Sequence, residues 1–168
     1  DGTISIFAGQ YGSTAPNYYA EGTGTAAVFN NPRGIAVDAN ENVYVADSNN
    51  QVVRKITPAG VVSLYAGTPQ YYSNTDGPLG TGKLFRPNAI TVDANGIVYV
   101  TDMNLKIRKI TPDQTITTVA SLTGPAYGLV IDPSDPTNPN HIFYVTDYSN
   151  HAVFRINRDG TRTTIAGI

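Results

Sequence analysis

Gly34-Ile35-Ala36-Val37-Asp38, Val43-Tyr44-Val45-Ala46-Asp47 and Val53-Arg54-Lys55-Ile56 form the stretch whose reading decides the fold. Each is a short run of strand-forming residues, too short for a helix and bounded by Asp- and Asn-rich turn sequence. The same runs return as Ala89-Ile90-Thr91-Val92-Asp93, Val98-Tyr99-Val100-Thr101-Asp102 and Ile107-Arg108-Lys109-Ile110. They return again as Gly128-Leu129-Val130-Ile131-Asp132, Phe143-Tyr144-Val145-Thr146-Asp147 and Val153-Phe154-Arg155-Ile156. A turn rich in Pro, Asp or Gly then leads into a fourth run at 61–67, 115–120 and 161–167. A fourth-run sequence also stands alone at the start, as Gly2-Thr3-Ile4-Ser5-Ile6-Phe7-Ala8-Gly9.

Four short runs per repeat, joined by tight turns, describe a four-stranded antiparallel blade. Runs such as Ile35-Ala36-Val37 and Val43-Tyr44-Val45-Ala46 are apolar at consecutive positions, which suits a sheet covered on both faces. A blade stacked between two others meets that condition, whereas a two-layer sandwich with one wet face calls for alternation. Small residues open each first run (Gly34, Ala89, Gly128), as crowding near a propeller axis requires. The expectation is an all-β partial β-propeller of four-stranded antiparallel blades, about three blades plus one extra outer strand, as half of a six-bladed ring. The outer strand spans 1–9 and the blades span 32–67, 87–120 and 125–167. An open arc leaves two blade faces wet. At about 25 cal/mol per Å², ~500 Å² left uncovered forgoes on the order of 12 kcal/mol. Self-association or covalently linked further blades are therefore expected.

Composition agrees. Of 168 residues, 40% are apolar and 14% charged, and the only glutamates are Glu21 and Glu41. Gly and Pro number 16 and 11, which supplies the turns. The net charge of −2 offers little to a phosphate backbone, so nucleic acid is not the expected partner. Cysteine is absent, and no run reaches the length of a membrane-spanning helix. The chain opens at Asp1 in turn-like sequence without an initiator Met, and reads as a processed product or an excerpt of a longer protein.

Pro32-Arg33-Gly34-Ile35-Ala36-Val37-Asp38, Tyr44-Val45-Ala46-Asp47-Ser48-Asn49-Asn50 and Val53-Arg54-Lys55-Ile56 resemble the NHL repeat. Asn150-His151 stands where that family's name-giving Asn-His stands. The matching positions read Asn50-Gln51 and, with one residue deleted, Leu105-Lys106. The resemblance implies a propeller. For function it spans ubiquitin-ligase scaffolds, RNA binders, extracellular adhesion domains and a lyase, so function has to be argued from the site.

Two long loops, Gln10–Asn31 and Thr68–Arg86, share one face of the expected propeller and resemble each other. Tyr18-Tyr19 parallels Tyr71-Tyr72, Glu21-Gly22 parallels Asp76-Gly77, and Phe29 parallels Phe85. The phenylalanines are expected to plug between blades and the acidic-Gly pairs to turn the chain. Tyr18, Tyr19, Tyr71 and Tyr72 are the candidate ligand-binding residues, because rigid amphipathic rings on surface loops anchor partners. Arg33, Asn88 and Tyr127, each just before an inner strand, are expected to line the axial mouth. Six-bladed lactonases hold calcium at such a mouth with Glu, Asn and Asp, and only Asn88 fits that set.

No metal, cofactor or catalytic residue is expected. Asp47, Asp102 and Asp147 fall one per blade, and sheets about 10 Å apart cannot bring three carboxylates within ~2.5 Å of one ion. They, and Asp38, Asp93 and Asp132 at the opposite ends, are expected to accept turn N–H groups. His141 and His151 belong to opposite faces and cannot form one acid–base pair. Arg54-Lys55, Arg108-Lys109 and Arg155 are expected to lie along neighbouring blades with their charges wet. These readings describe a non-enzymatic recognition or scaffold module binding protein or glycan through the loop-bearing face. Low charge with abundant Thr, Asn and Tyr points to an extracellular setting. The alternative is part of a lactonase-like or lyase-like enzyme with its catalytic residues in other blades.

Overall fold

The computed structural model describes residues 2–10, 12, 18–132 and 141–167. Asp1 and 133–140, which belong to the expected outer strand and third blade, lie outside the described residues, as do parts of the first long loop.

The second run of each repeat is the spine of a sheet. In the first repeat, β2 (Pro32–Val37), β3 (Val43–Asp47), β4 (Val52–Ile56) and β5 (Val61–Gly67) pair antiparallel in chain order, and a two-residue β1 (Gly22–Thr23) adds to the outside of β5. The second sheet is β6 (Ile90–Val92), β7 (Val98–Asp102), β8 (Lys106–Ile110) and β9 (Ile116–Ser121). The third is β10 (Ala126–Ile131), β11 (Phe143–Asp147), β12 (Ala152–Ile156) and β13 (Arg162–Ala166). The inner strands β2, β6 and β10 lie side by side, so the three blades fan about one edge as in a propeller.

Every outer strand carries a register shift at the same place. Val53 pairs with Ala66 and Arg54 with Leu64; Ile107 with Ala120 and Arg108 with Thr118; Val153 with Ala166 and Phe154 with Thr164. The extra residue (Tyr65, Val119 or Ile165) bends the outer edge. The inner strands are crowded as expected. A Cβ on Gly34 would run into the Asn88 carbonyl oxygen of the next blade and sit 3.0 Å from Ile90 Cγ2.

Two apolar seams hold the blades together. Between the first and second lie Tyr44, Ala46, Val53 and Ala66 against Ile90, Val98, Val100 and Ile110. Between the second and third lie Tyr99 and Ile107 against Leu129, Phe143 and Phe154. Full burial of side chains this size is worth about 1.5–3 kcal/mol each. The leading face of the first blade is covered in part by Ala8 and Phe29, leaving Ile35 and Val37 exposed.

Two expectations differ from the structure. The expected outer strand at 1–9 has no strand in its described residues, and Ile4 is 96% exposed. An outer strand needs an inner partner to pair with, and the outside of β5 is taken by β1. The name-giving pair of the second repeat is Asn104-Leu105, not Leu105-Lys106. Lys106 already pairs with Asp102 as the first residue of β8, and the left-handed turn residue is Leu105, matching Gln51 and His151 (φ 60°, 64° and 50°).

Candidate functional site: the loop-bearing face

The starts of β2, β6 and β10, the β3–β4, β7–β8 and β11–β12 turns and the loops preceding each blade share one side of the arc. Each long loop is latched to its own blade by a buried arginine. Arg54 is fully buried; it donates to Asp47 Oδ2 (3.3 Å) and to the loop carbonyls of Val28 (3.4 Å) and Ala20 (2.9 Å). Its guanidinium sits between the rings of Tyr19 and Phe29, 4.4 and 5.3 Å from their centres. Arg108, equally buried, donates to Asp102 Oδ2 (3.1 Å), the Lys83 carbonyl (3.2 Å) and Asp76 Oδ1 (2.7 Å). This overturns the expectation of wet charges at these two arginines. The loops fold over them, and charge buried this deeply persists only when paired and hydrogen-bonded.

The loop carboxylates complete the latch by serving the bulged outer strands. Glu21 accepts the Leu64 N–H (3.2 Å), and Asp76 accepts the Thr118 N–H and hydroxyl (3.0 Å each). Gly22 and Gly77 follow with φ of 141° and 146°, a region that favours glycine, and where a turn was expected both pair antiparallel with the outer strand, Gly22 with Val62 and Gly77 with Ile116. The third blade has a short loop and a different latch. Phe154 replaces the arginine, and Arg162 stands 4.4 Å over its ring and bonds Thr123.

The carboxylates ending β3, β7 and β11 accept backbone N–H groups. Asp102 takes Asn104 and Asp147 takes Asn150 of the following turns (3.0 Å each), whereas Asp47 departs from the expectation and takes the Asn30 N–H of the preceding loop (2.7 Å), with only the Asn50 side-chain amide (2.8 Å) from its own turn. Burial raises the Asp47 and Asp102 carboxyls above the ordinary value against the pull of their partners. Burial also works against ionisation of Asp147 and Asp76. There the bonds from Asn150 and Thr123, and from Thr118 and Arg108, outweigh it and hold the carboxyls low. At the opposite ends Asp38 accepts from Asn40 and Asn42, and Asp93 from Asn95 and Ile97. Asp93 also meets buried His141 of the next blade at 2.9 Å. His151 lies in the β11–β12 turn, at the other end of β11 from His141. Among the described residues no group of three His, Cys, Asp or Glu side chains could hold a metal ion.

The candidate tyrosines divide. Tyr19 is half-buried on Arg54 and donates to Glu21 (3.0 Å); burial, above all, pushes its hydroxyl up to about 12. It belongs to the latch. Tyr18, Tyr71 and Tyr72 are exposed, Tyr71 with Lys83 Nζ 4.2 Å over its ring and Tyr72 edge-on to Phe85. The expected axial residues come together: Arg33 donates to Asn88 Oδ1 (3.4 Å) and lies 5.9 Å from the Tyr127 ring centre, around an open cleft of about 380 Å³. Asn88 in turn donates to the Ala126 carbonyl (2.8 Å). Tyr148, exposed and edge-on to Tyr127 at 5.5 Å, joins them. Sequence reading missed it, although its place directly after Asp147 in the β11–β12 turn puts it on this face.

The model of the teneurin NHL domain matches residues 71–164, and that of the NHL repeat matches 29–56. The chain belongs to the NHL-repeat family, as a teneurin-type NHL domain. Human and mouse Teneurin-4 are each 30% identical to this NHL domain over 99 residues, half of the chain and 4% of their own length. Among solved structures, an auxiliary nutrient binding protein from Bacteroides ovatus superposes with a TM-score of 0.65 at 14% identity, covering 86% of the NHL domain and 40% of that chain. Virginiamycin B lyase from Staphylococcus aureus gives 0.57 at 21%, covering 79% and 40%. A gluconolactonase from Xanthomonas campestris gives 0.57 at 14%, covering 90% and 49%. These are β-propeller proteins, and the likeness extends to the fold alone. The NHL domain spans less than half the length of each.

Proposed function

We propose that this NHL domain is a non-enzymatic recognition module that contacts its partner, a protein or glycan, through the loop-bearing face. The carrying observation is the distribution of exposed tyrosine. Among the described residues the tyrosines with exposed side chains are Tyr18, Tyr71, Tyr72, Tyr127 and Tyr148, and all five stand on this one face. Large, stiff, amphipathic rings at low conformational cost characterise binding surfaces. The teneurin-type match supports an interaction module, and with the low charge of the chain it supports an extracellular one. Among the described residues no helix is long and apolar enough to cross a membrane. The two open blade faces are a separate surface, covered by further blades of the same kind, from a second copy or covalently linked.

The test is selection of a displayed random-peptide library on the immobilised chain. Enriched peptides are expected to bind the wild type and to lose binding to a Tyr71→Ser/Tyr72→Ser variant of unchanged circular dichroism. If no peptide shows that dependence, the loop-face reading falls.

A further inference from the structure

Charge on the loop-bearing face is unevenly spent. Among the described residues its carboxylates are Glu21, Asp47, Asp76, Asp102 and Asp147, and every one is engaged inside the fold. Glu21 and Asp76 hold the bulged outer strands. Asp47 and Asp102 are buried on Arg54 and Arg108. Asp147 takes Asn150 and Thr123. The cations Arg33, Lys83, Arg86 and Lys106 stand at the same side, and among the described residues none forms an ion pair. Arg33 and Lys83 are held over Tyr127 and Tyr71, so rings and cations are interleaved. Arg86, exposed two residues before the Asn88 of the axial cleft, adds a third cation to this side. The opposite side carries Asp38, Glu41, Asp113 and Asp159 in its turns, with Arg158 beside Asp159.

Loop composition identifies the class of partner. Stretches of the long loops read Tyr18-Tyr19-Ala20-Glu21-Gly22-Thr23-Gly24-Thr25 and Pro69-Gln70-Tyr71-Tyr72-Ser73-Asn74-Thr75-Asp76-Gly77. Tyr, Ser, Gly and Asn on loops latched to a rigid sheet make the composition of a protein-binding paratope, in which rings anchor and small polar residues adapt. The exposed rings come from all three blades rather than one groove, which gives a broad footprint. Sparse cations among rings suit carboxylates scattered over a protein surface better than the dense phosphates of a nucleic acid.

We infer that the loop-bearing face recognises an acidic protein surface, with tyrosines as anchors and Arg33, Arg86, Lys83 and Lys106 as the charge-reading set. This rests on the loop-face reading above. The same peptide selection separates the two. Peptides that depend on Tyr71 and Tyr72 are expected to carry an excess of Asp and Glu. Their affinity falls as salt rises from about 50 to 300 mM, where screening shortens the reach of each charge. An Arg33→Gln/Arg86→Gln variant, with its melting temperature unchanged, is expected to lose about tenfold in affinity for these peptides and to show a weaker salt dependence. Tyrosine-dependent peptides without acidic excess, or unaffected by the arginine changes, overturn the inference and leave the loop-face reading standing. Absence of any tyrosine-dependent peptide overturns both. Single-stranded oligo(dT) or polygalacturonate binding more tightly than the acidic peptides assigns the face to nucleic acid or glycan and overturns the protein assignment.

Discussion

Arg54 and Arg108 show how far one residue's role depends on distant neighbours. In the sequence they are members of Arg-Lys pairs on short strands, indistinguishable from surface cations. In the fold a loop some thirty residues upstream closes over each one, and the side chain becomes the buried tie between loop and blade. Phe154 marks the exception: where the preceding loop is short, the arginine is absent and Arg162 reaches Thr123 from the outer strand instead. Replacing Arg108 by Met keeps the aliphatic stem but leaves buried Asp102 without its counter-charge. A loss of about 3–5 kcal/mol is expected in urea unfolding, partly recovered by adding Asp102→Asn. A loss below about 1 kcal/mol would show that the tie is dispensable.

At the scale of the element, the strands were legible because each is written locally, in a run of β-branched and aromatic residues, the first two of each repeat closed by an Asp. Val98–Asp102 and Phe143–Asp147 form the strands their sequences promise. Residues 2–9 have the composition of an outer strand too, yet composition cannot supply the partner that pairing requires. The candidate site was legible in part for the same reason. The axial trio follows from repeat position, whereas the inward turn of Tyr19 depends on Arg54, across a contact that no local pattern encodes. Inner-strand crowding makes a sharp prediction. Gly34→Ala drives a methyl group into the Asn88 carbonyl and against Ile90, and is expected to destabilise the fold by about 1–3 kcal/mol. Thermal melting checks this, and Gly24→Ala, whose Cβ would meet nothing within 4 Å but whose φ of 57° disfavours alanine, separates the cost of backbone conformation from that of a clash.

For the whole molecule, the repeat makes its two ends informative about what covers them. Ile35 and Ile90 occupy the same position in successive blades; Ile90 is 7% exposed against the first blade, and Ile35 is 67% exposed on the open leading face. At the other end Thr146 accepts the Gly128 N–H as Thr101 accepts that of Ala89. The Thr101 hydroxyl also donates to the Ala126 carbonyl of the following blade (3.0 Å), and Thr146 is exposed where such a blade would stand. Both ends thus present the half-interfaces that the seams complete. Ile35→Lys is expected to weaken association of the chain at micromolar concentration in sedimentation velocity while leaving its circular dichroism intact, whereas Ile90→Lys unfolds it. A wild-type chain that stays monomeric, with Ile35→Lys changing nothing, would show that no copy of itself fills the gap.

The latch has one further consequence, for how such a molecule can diversify. From Thr75 to Phe85 the second loop is fixed at a few points: Thr75 to Lys83, Gly77 to Ile116, Asp76 to Arg108 and Thr118, and Phe85 to Met103. The exposed Tyr71 and Tyr72 lie just outside these points, and Leu79 and Gly80 lie between them. On the proposed function, substitutions at such tips alter what the surface reads without touching what keeps the blade folded. Evolution, or a protein engineer, can therefore rewrite the specificity of this cassette while the frame beneath it is inherited unchanged.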